Sequence, residues 1–222
     1  VLYLGMQKII VAIDGFASTG KSSLAKRLAE TLNYTYIDSG AMYRAVTYFA
    51  IQKGHRGHID KEKLIAQLDQ IEIYFKYSKS GHQTFLNGLN ISKEIRLSEV
   101  TEKVSKVSKI IEVRELLVTQ QQKLGAKKGI IMDGRDIGTV VFPKAECKFF
   151  LKASPEIRAK RRQLEQIKAG NNESFASVLS NLKERDLMDS TRKFSPLTKA
   201  DDAIEIDVSE MSLEEVYQQL LE

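Results

Sequence analysis

The sequence contains very little cysteine, proline or tryptophan. Of its 222 residues, one is cysteine, three are proline and none is tryptophan. The single thiol, Cys147, excludes an internal disulfide and a cysteine-based metal site, and it is typical of a small buried side chain in a reducing cytoplasm. No apolar run approaches the roughly 20 residues of a membrane helix, so we expect a soluble protein that does not bind a membrane.

The sequence also lacks a signal peptide and a nucleic-acid signature. Val1–Gly5 have neither a basic start nor a long apolar stretch, which predicts a cytoplasmic location, and they resemble an extension ahead of Met6. The net charge of +5 and the pI of about 9.1 indicate an anionic partner, which can be nucleic acid, a membrane surface or a polyphosphate. The basic residues form no RNP or zinc-finger motif, so we expect no nucleic-acid partner.

Five short runs rich in branched and aromatic residues alternate with helical stretches. They span residues 8–13, 35–38, 129–133, 147–151 and 203–207. This alternation predicts an α/β fold with a five-stranded parallel sheet covered by helices on both faces. A chain of 222 residues can form one such core and still carry inserted lobes.

Residues 60–100 break the alternation and look inserted. Positions 71–76 alternate apolar and polar side chains, and Gly81 and the pair Asn87-Gly88 are typical of hairpin turns, so we predict a small antiparallel sheet. The spacing of apolar residues from Val100 to Ile111 then predicts a helix that can continue to a stop at Gly125.

A second insertion begins at Ser154-Pro155-Glu156, which combines an N-cap residue, a proline in the first turn and an early acid. The helix it starts is strongly basic and is broken at residues 170–172. Another helix is predicted from near Ser174 to about Met188.

Residues 15–22 match the pattern G-x-x-x-x-G-K-[ST] between a buried strand and an amphipathic helix. In this P-loop, glycines let backbone N–H groups surround phosphate oxygens, Lys21 places a charge on the β- and γ-phosphates, and Ser22 can bind Mg²⁺. A chance match in a flexible loop does not account for the flanking strand and helix. The sequence lacks the guanine-reading Asn-Lys-x-Asp of GTPases, so a small-molecule kinase is favoured.

Asp38-Ser39-Gly40-Ala41-Met42-Tyr43-Arg44 follows the second strand, where side chains of an α/β protein reach the same edge as the P-loop. We expect Met42 and Phe49 to pack inward and to leave Tyr43 and Arg44 available for a ligand. A solvated Arg44 and a Tyr43 used only for packing are the alternatives.

Asp133-Gly134-Arg135-Asp136 closes the third strand. An acid at this point can hold a water on Mg²⁺ next to Ser22. Two acids and an arginine are unfavourable there unless a ligand uses them, although a structural ion pair among them is the alternative.

Two helical faces in the second insertion predict further ligand contacts. The stripe of Val178 and Leu182 continues to Arg185, Asp189 and Arg192, so a buried face turns polar, which indicates a phosphate or sugar ligand. A surface ladder of salt bridges at this spacing is the alternative.

On the basic helix, Arg158, Arg161 and Arg162 share one face and could clamp transferring phosphates. A merely solvated basic face is the alternative.

Taken together, these motifs give the chain a resemblance to the bacterial-type cytidylate kinases, from Met6 to the C-terminus. The most specific segments are 13–15, 38–44, 133–143 and 183–196. The resemblance implies a P-loop kinase core at residues 1–40, 115–153 and 190–222, a nucleoside monophosphate-binding insert at 41–114 that contains the small sheet, and a helical lid with its adjoining helix at 154–189.

The motifs and the resemblance together assign roles to specific residues. The assigned ATP site comprises Gly15, Phe16, Ala17, Ser18, Thr19, Gly20, Lys21, Ser22, Ser23, Arg158 and Arg161. The assigned acceptor site comprises Ser39, Tyr43, Arg44, Ser105, Arg114, Arg135, Asp136, Arg185, Asp189 and Arg192. Catalysis is assigned to Lys21, Arg135, Arg158, Arg162 and Arg185, and Mg²⁺ to Ser22 and, through water, Asp133.

The resemblance implies that Ser105, Arg114 and Asp136 read the base. Cytosine presents an amino donor that Asp136 can accept, whereas uracil reverses the donors and acceptors at two of its edges and should bind less well. Phe16, where the family usually has proline, and Thr19 and Ser23 depart from the common forms, but the glycines and Lys21 are intact.

The implied reaction is the ATP-dependent phosphorylation of CMP and dCMP by a monomer. The alternatives are a UMP/CMP kinase or another small-acceptor P-loop kinase, an ATP-binding module without turnover, and a basic RNA-binding protein.

Overall fold

The computed structural model of this chain describes residues 7–54, 58–78, 81–168 and 170–222, so the expected extension at Val1–Gly5 lies outside the described residues. The described residues form two compact units. The first unit contains the residues up to Ile37 together with Leu124–Glu222, and the second unit contains Asp38–Lys123.

The secondary structure follows the chain in this order. The strands are β1 (Ile10–Gly15), β2 (Thr35–Asp38), β3 (Ile73–Ser78), β4 (Gly81–Leu86), β5 (Leu89–Asn90), β6 (Ile130–Gly134), β7 (Cys147–Lys152) and β8 (Ile204–Asp207). The α-helices are α1 (Lys21–Leu32), α2 (Ser39–Lys53), α3 (Lys61–Ile65), α4 (Ser98–Val107), α5 (Ile111–Gly125), α6 (Pro155–Lys168), α7 (Phe175–Thr191) and α8 (Leu213–Leu221). Ile137–Val141 form one wide helical turn of the π type.

The large sheet has the strand order β2-β6-β1-β7-β8, which confirms the expected five-stranded parallel sheet. β1 lies at its centre and is buried along its whole length, as a strand covered on both faces must be. Asp14 lies opposite Gly134 in the parallel pairing of β1 with β6. The P-loop and the residues that follow Gly134 therefore start at the same edge of the sheet.

The core of the first unit is formed by the apolar stripes of α1 and α8 against the sheet. Leu24 and Leu28 of α1 and Val216 and Leu220 of α8 belong to one buried cluster. Their spacing of four residues places each pair on one helical face. The thiol of Cys147 is only half buried, and burial raises its pKa.

Caps define α6 and α7 as the sequence indicates. Ser154 Oγ accepts a hydrogen bond from the Ile157 N–H at 3.3 Å, and Ser174 Oγ accepts one from the Ser177 N–H at 3.2 Å. Gly170, with a φ of +83°, follows the end of α6. Both predicted helix starts are confirmed, whereas α7 runs to Thr191, beyond the expected end near Met188.

The second unit contains the small antiparallel sheet, in the order β3-β4-β5. Asn87 and Gly88 both have a positive φ, 48° and 83°, and form the tight turn between β4 and β5. Ile73 and Leu86 face the interior of this unit and are 7% and 6% exposed. The predicted inserted sheet is therefore confirmed.

The structure has two helices, α4 and α5, where the sequence predicts one continuous helix. The apolar spacing from Val100 to Ile111 fits a single helix because eleven residues are close to three full turns, but α4 ends at Val107 and α5 begins at Ile111. Arg114 donates from Nη1 to the Ser108 carbonyl at 3.2 Å. This side chain satisfies a carbonyl at the end of α4, which a continuous helix would have bonded internally.

In the described part of the chain, we find no helix that combines the length and the apolar character needed to cross a membrane.

Candidate active site

The P-loop forms a turn between β1 and α1 that is shaped for an anion. Gly20 precedes α1 with a φ of +90°, and Gly15 has a φ of +143°. A Cβ atom on Gly15 would lie 2.0 Å from the Leu151 carbonyl oxygen, so only glycine fits this position. The loop therefore approaches β7 closely and points the N-terminus of α1, with its unpaired N–H groups, at the place where a phosphate binds.

Lys21 is 5% exposed, and its ammonium group lies inside the P-loop. Its Nζ donates to the Phe16 carbonyl at 2.5 Å and to Thr19 Oγ1 at 3.2 Å. Burial lowers the pKa of Lys21 well below its ordinary value, and the nearby Arg135 and Arg185 lower it further. A phosphate beside Lys21 would favour its charged form, because it adds an opposite charge to a site where cations repel.

Ser22 and Asp133 are joined at the carboxyl ends of β1 and β6. Ser22 Oγ donates to Asp133 Oδ2 at 2.8 Å, and the Tyr36 hydroxyl donates to Asp133 Oδ1 at 2.7 Å. Hydroxyl and carboxylate oxygens are the ligands that Mg²⁺ prefers. The structure thus brings together the two residues that the sequence assigns to the metal.

Asp14 bonds the wide turn that follows Asp136. Its Oδ1 accepts from the Ile137 N–H at 2.9 Å and its Oδ2 from the Gly138 N–H at 2.7 Å. Burial raises the pKa of Asp14 to about 7, whereas the two N–H donors act in the opposite direction. Both oxygens of the carboxylate are therefore held by backbone N–H groups, and the nearby charge of Lys21 also acts to lower its pKa.

Arg135, Asp136, Asp189 and Arg192 form a buried network in the first unit. Arg135 Nε donates to Asp189 Oδ2 at 3.0 Å, and Arg192 Nη2 lies 3.5 Å from Asp136 Oδ1. Burial favours the neutral form of Asp189, but Arg135, Arg185 and Arg192 hold its pKa below the ordinary value. The polar continuation of the α7 stripe is thus buried, as the sequence indicates, with Asp189 5% and Arg192 8% exposed.

Arg185 is half buried on α7, and its charge acts on both the P-loop and this network. It lowers the pKa of Lys21 and that of Asp189. The charge of Arg185 therefore acts on one assigned donor residue, Lys21, and on one assigned acceptor residue, Asp189.

Arg158 is the most buried of the lid arginines, at 2% exposed. It donates to Asp186 Oδ2 at 2.6 Å and to the Ala153 carbonyl at 2.9 Å. Its guanidinium carbon lies 5.1 Å from the centre of the Phe16 ring, and Nη1 is 3.4 Å from the Ala17 carbonyl oxygen. Arg158 therefore connects α6 with the P-loop.

The three lid arginines diverge. Arg161 Nη2 donates to the Val208 carbonyl at 2.7 Å, and Arg162 is 38% exposed and lies 3.5 Å from Glu165. Only Arg158 contacts the P-loop. The shared helical face predicted from the spacing does not bring these side chains to one point, because each meets a different neighbour.

A cavity of about 490 Å³ opens beside the P-loop. Its lining includes Phe16, Lys152, Arg158, Asp186, Asp207 and Ser209. Its walls combine an aromatic ring with charged and hydroxyl groups, as in many ligand sites.

In the second unit, Asp38 holds Arg44 at the start of α2. Its Oδ1 accepts from the Ala41 N–H at 2.8 Å, and its Oδ2 accepts from Arg44 Nη2 at 3.0 Å. Burial favours the neutral form of Asp38, but Arg44 and the Ala41 N–H hold its pKa below the ordinary value. The neighbouring Ser39 is 4% exposed. The cap thus fixes the direction of Arg44.

Tyr43 and Arg114 stack within the second unit, with the guanidinium carbon 5.3 Å from the ring centre. Tyr43 is 8% exposed, so the expectation that it stays outside the packed face is wrong. Met42 and Phe49 are buried as expected. Ser105 and Arg114 are both buried, at 4% and 3% exposed, and Arg114 bonds the Ser108 carbonyl.

Three side chains bonded near the site, those of Asp14, Tyr36 and Asp186, have no role in the assignment from sequence motifs. Asp14 and Tyr36 bond residues far along the chain, and Asp186 bonds Arg158, 28 positions away. The only signal for Asp14 is an acid within an otherwise apolar central strand, because such a group requires partners.

Comparisons with known proteins match nearly the whole chain to one family. The family model for cytidylate kinases matches residues 11–222. The chain is 53% identical over 221 residues to the cytidylate kinase of Flavobacterium johnsoniae, covering 98% of this chain and 96% of that protein. It is 46% identical over 216 residues to the cytidylate kinase of Bacillus subtilis, with 97% and 96% covered. A crystal structure of an uncharacterized Eubacterium ventriosum protein shares the fold, with a TM-score of 0.51, 12% identity and 96% of both chains covered.

Proposed function

The chain belongs to the cytidylate kinase family, and we propose that it transfers the terminal phosphoryl group of ATP to CMP and dCMP, forming CDP and dCDP. Such an enzyme is a nucleoside monophosphate kinase. The observation that supports the proposal most strongly is the buried ammonium group of Lys21 inside a P-loop whose next residue, Ser22, bonds Asp133 at 2.8 Å.

We propose that residues 15–23 hold the phosphates of ATP. The backbone N–H groups of the loop and the start of α1 would bind phosphate oxygens, and Lys21 would contact the β- and γ-phosphates. Arg158 supports the loop through Phe16 and the Ala17 carbonyl, while Arg161 would act on the donor from the following turn of α6.

The donor set beside the P-loop fits a magnesium ion. Ser22 and, through water, Asp133 are the residues that would hold it, since both offer oxygen atoms and already lie 2.8 Å apart. Bound with ATP, the ion supplies positive charge that offsets the negative charge of the phosphates. Tyr36 orients the second carboxylate oxygen of Asp133 through its 2.7 Å hydrogen bond.

We propose the following acceptor-binding roles. In the first unit, Arg135 would bind the phosphate of CMP and Asp136 would accept from the cytosine amino group. Arg185 and Asp189 would lie at the ribose, with Arg192 nearby toward the phosphate. In the second unit, the assigned acceptor residues are Ser39, Tyr43, Arg44, Ser105 and Arg114. Arginine suits phosphate because its planar fork can bridge two oxygens.

The proposed chemistry needs no general base. The attacking phosphate oxygen of CMP is already anionic, so catalysis consists of alignment and charge stabilisation. Arg135 and Arg185 would align the acceptor, and Lys21, Mg²⁺ and the lid arginines would neutralise negative charge on the two substrates. The buried positions of Lys21 and Asp136, 5% and 4% exposed, keep water away from them and strengthen these interactions.

We expect Arg162→Ala to lower kcat while leaving the stability of the protein nearly unchanged. Arg162 is 38% exposed and lies 3.5 Å from an exposed glutamate, so the free energy of unfolding should change by no more than about 0.5 kcal/mol. If Arg162 acts on transferring phosphates, kcat should fall at least about tenfold. Steady-state kinetics and urea denaturation measure both quantities.

Lys160→Ala is the matched control, because Lys160 is an exposed cation on the same helix and should leave kcat unchanged. Arg158→Ala should instead lose both activity and about 3 kcal/mol of stability, since Asp186 is left without its partner. Full activity in the variant with all three lid arginines replaced by alanine would contradict the clamp.

A substrate panel tests the proposed function. Purified protein with ATP and Mg²⁺ should form ADP most efficiently with CMP or dCMP, less with UMP, and least with purine monophosphates. Preference for UMP or another small acceptor would favour the alternative kinase, and ATP binding without ADP formation would favour a module that has lost turnover. Absence of any diphosphate product from CMP would refute the proposal.

We further propose that the enzyme works in the cytoplasm as a monomer. Its single cysteine fits a reducing compartment, and CMP and ATP are small anionic substrates that suit the positive net charge.

A further inference from the structure

Asp14 is a buried carboxylate that the proposed mechanism leaves without a part. It is 4% exposed and precedes Gly15, the first residue of the P-loop. Both of its oxygens accept backbone hydrogen bonds, at 2.9 Å from Ile137 and 2.7 Å from Gly138. Both oxygens of Asp14 are thus engaged by the backbone that follows Asp136.

The two peptide groups that Asp14 binds determine the direction of Asp136. The Ile137 nitrogen belongs to the peptide bond that leaves Asp136, so its hydrogen bond restrains the backbone angle ψ of Asp136, which is 26°. The Asp136 carbonyl in turn accepts from the Val140 N–H at 2.9 Å. Asp136 therefore stands at the start of a turn that Asp14 holds in place.

The other side of the turn is packed against Lys148. A Cβ atom on Gly138 would lie 3.1 Å from Lys148 Cδ and 3.4 Å from Asp14 Oδ2. Lys148 Nζ is itself fixed, because it donates to the Pro143 carbonyl at 2.7 Å and to Asp202 at 2.8 Å. The turn is thus enclosed between Asp14 and Lys148, with little room to shift.

We propose that Asp14 is a positioning residue for acceptor recognition: its carboxylate fixes the backbone after Asp136 and thereby orients Asp136. The inference rests on the proposed function, in which Asp136 reads the cytosine amino group. Asp14 also links this loop to the P-loop, since it immediately precedes Gly15 and pairs with Gly134 across the sheet.

Asp14→Asn is the most direct test, because the two side chains have the same shape. One oxygen becomes an NH₂ group, which faces a backbone N–H and cannot accept its hydrogen bond. Loss of a buried hydrogen bond to a charged group corresponds to about a tenfold effect or more. We expect the KM for CMP to rise about tenfold, the CMP/UMP ratio of kcat/KM to fall, and the KM for ATP to change less than about twofold.

Glu146→Gln is the matched control. Glu146 Oε2 accepts from the Ile10 N–H at 2.9 Å, at the opposite end of the same strand. This variant makes the same chemical change away from the acceptor loop, so its KM for CMP and its CMP/UMP ratio should equal those of the unaltered protein. All proteins are to be assayed below the onset of thermal unfolding.

A purely structural role predicts a different pattern for Asp14→Asn. A fraction of unfolded protein lowers the apparent kcat and leaves both KM values and the CMP/UMP ratio unchanged, and that result would overturn the proposal. If Asp14→Asn does not fold, Gly138→Ala is the second variant, because its Cβ atom would press on Lys148 Cδ at 3.1 Å and on Asp14 Oδ2 at 3.4 Å and would shift the turn by a few tenths of an ångström. A changed KM for CMP and a changed CMP/UMP ratio in that variant support the proposal, and unchanged values overturn it.

A wrong proposed function and a wrong positioning role for Asp14 give different experimental results. If the unaltered protein does not phosphorylate CMP, the proposed function itself is wrong. If it prefers CMP and Asp136→Ala removes that preference while Asp14→Asn does not, only the positioning role of Asp14 is wrong.

Discussion

Lys21→Ala is expected to lower kcat for phosphoryl transfer from ATP to CMP by at least about a thousandfold. Lys21 is 5% exposed and its ammonium group lies 2.5 Å from the Phe16 carbonyl oxygen, so its charge is fixed where the phosphates of ATP would lie. No other lysine occupies the loop, and alanine leaves the position without a charge. A coupled assay of ADP release measures the loss.

The same substitution should not weaken the fold. Burial and the nearby Arg135 and Arg185 lower the pKa of Lys21, which means that the surroundings disfavour its charged form. Removing the charge relieves that repulsion, so the urea midpoint should stay the same or rise. Lys26→Ala, on the same helix and 5.7 Å from the Tyr36 ring, is the control and should keep full activity. Activity above about a tenth of normal in Lys21→Ala would exclude the assigned role.

Asp136→Ala should reduce discrimination between CMP and UMP by about a hundredfold, with the KM for ATP changed much less. A buried carboxylate that accepts from the cytosine amino group rejects uracil, because uracil presents a carbonyl oxygen at that position. Asp136 is 4% exposed, so water cannot readily replace the lost acceptor. The measurement is kcat/KM for both acceptors in wild type and variant.

The alternative role of Asp136 is an ion pair with Arg192, which lies 3.5 Å away. If that pair is its only role, removal should lower kcat/KM for CMP and UMP by the same factor. An Asp136→Ala enzyme with an unchanged CMP/UMP preference would therefore contradict base reading. Asp136→Asn separates the base-reading role from the ion-pair role further. The amide of the new side chain can donate to the uracil carbonyl, so the acceptor preference should shift from CMP towards UMP.

Short-range patterns predicted most of the fold. The sequence signals for these elements lie in residues close to one another: apolar runs for buried strands, glycines for a turn with positive φ, and serine caps for helix starts. Gly20 has the required φ of +90°, and Ser154 and Ser174 cap their helices. These features follow from the covalent chain, so they can be predicted from it.

Two expectations were wrong at positions where the long side chain of Arg114 makes contacts that apolar spacing does not predict. The interval from Val107 to Ile111 keeps helical spacing, yet Arg114 bonds the Ser108 carbonyl and the helix is broken there. Tyr43 follows a buried methionine and was expected outside the packed face, but Arg114 covers its ring. Periodicity reports which face of a helix is apolar, and it does not report which long side chain covers the next position.

The sequence by itself determined the parallel α/β core, the phosphate-binding loop with Lys21 and Ser22, and the family to which its motifs point. Only the tertiary structure decided the partners of the charged side chains. Asp14 accepts hydrogen bonds from the Ile137 and Gly138 N–H groups. Arg158 contacts Asp186 and the P-loop, and the other lid arginines point to different neighbours. The physical reason is that hydrogen bonds and pKa shifts depend on distances of a few ångströms and on burial, both of which arise when segments far apart in the chain pack together.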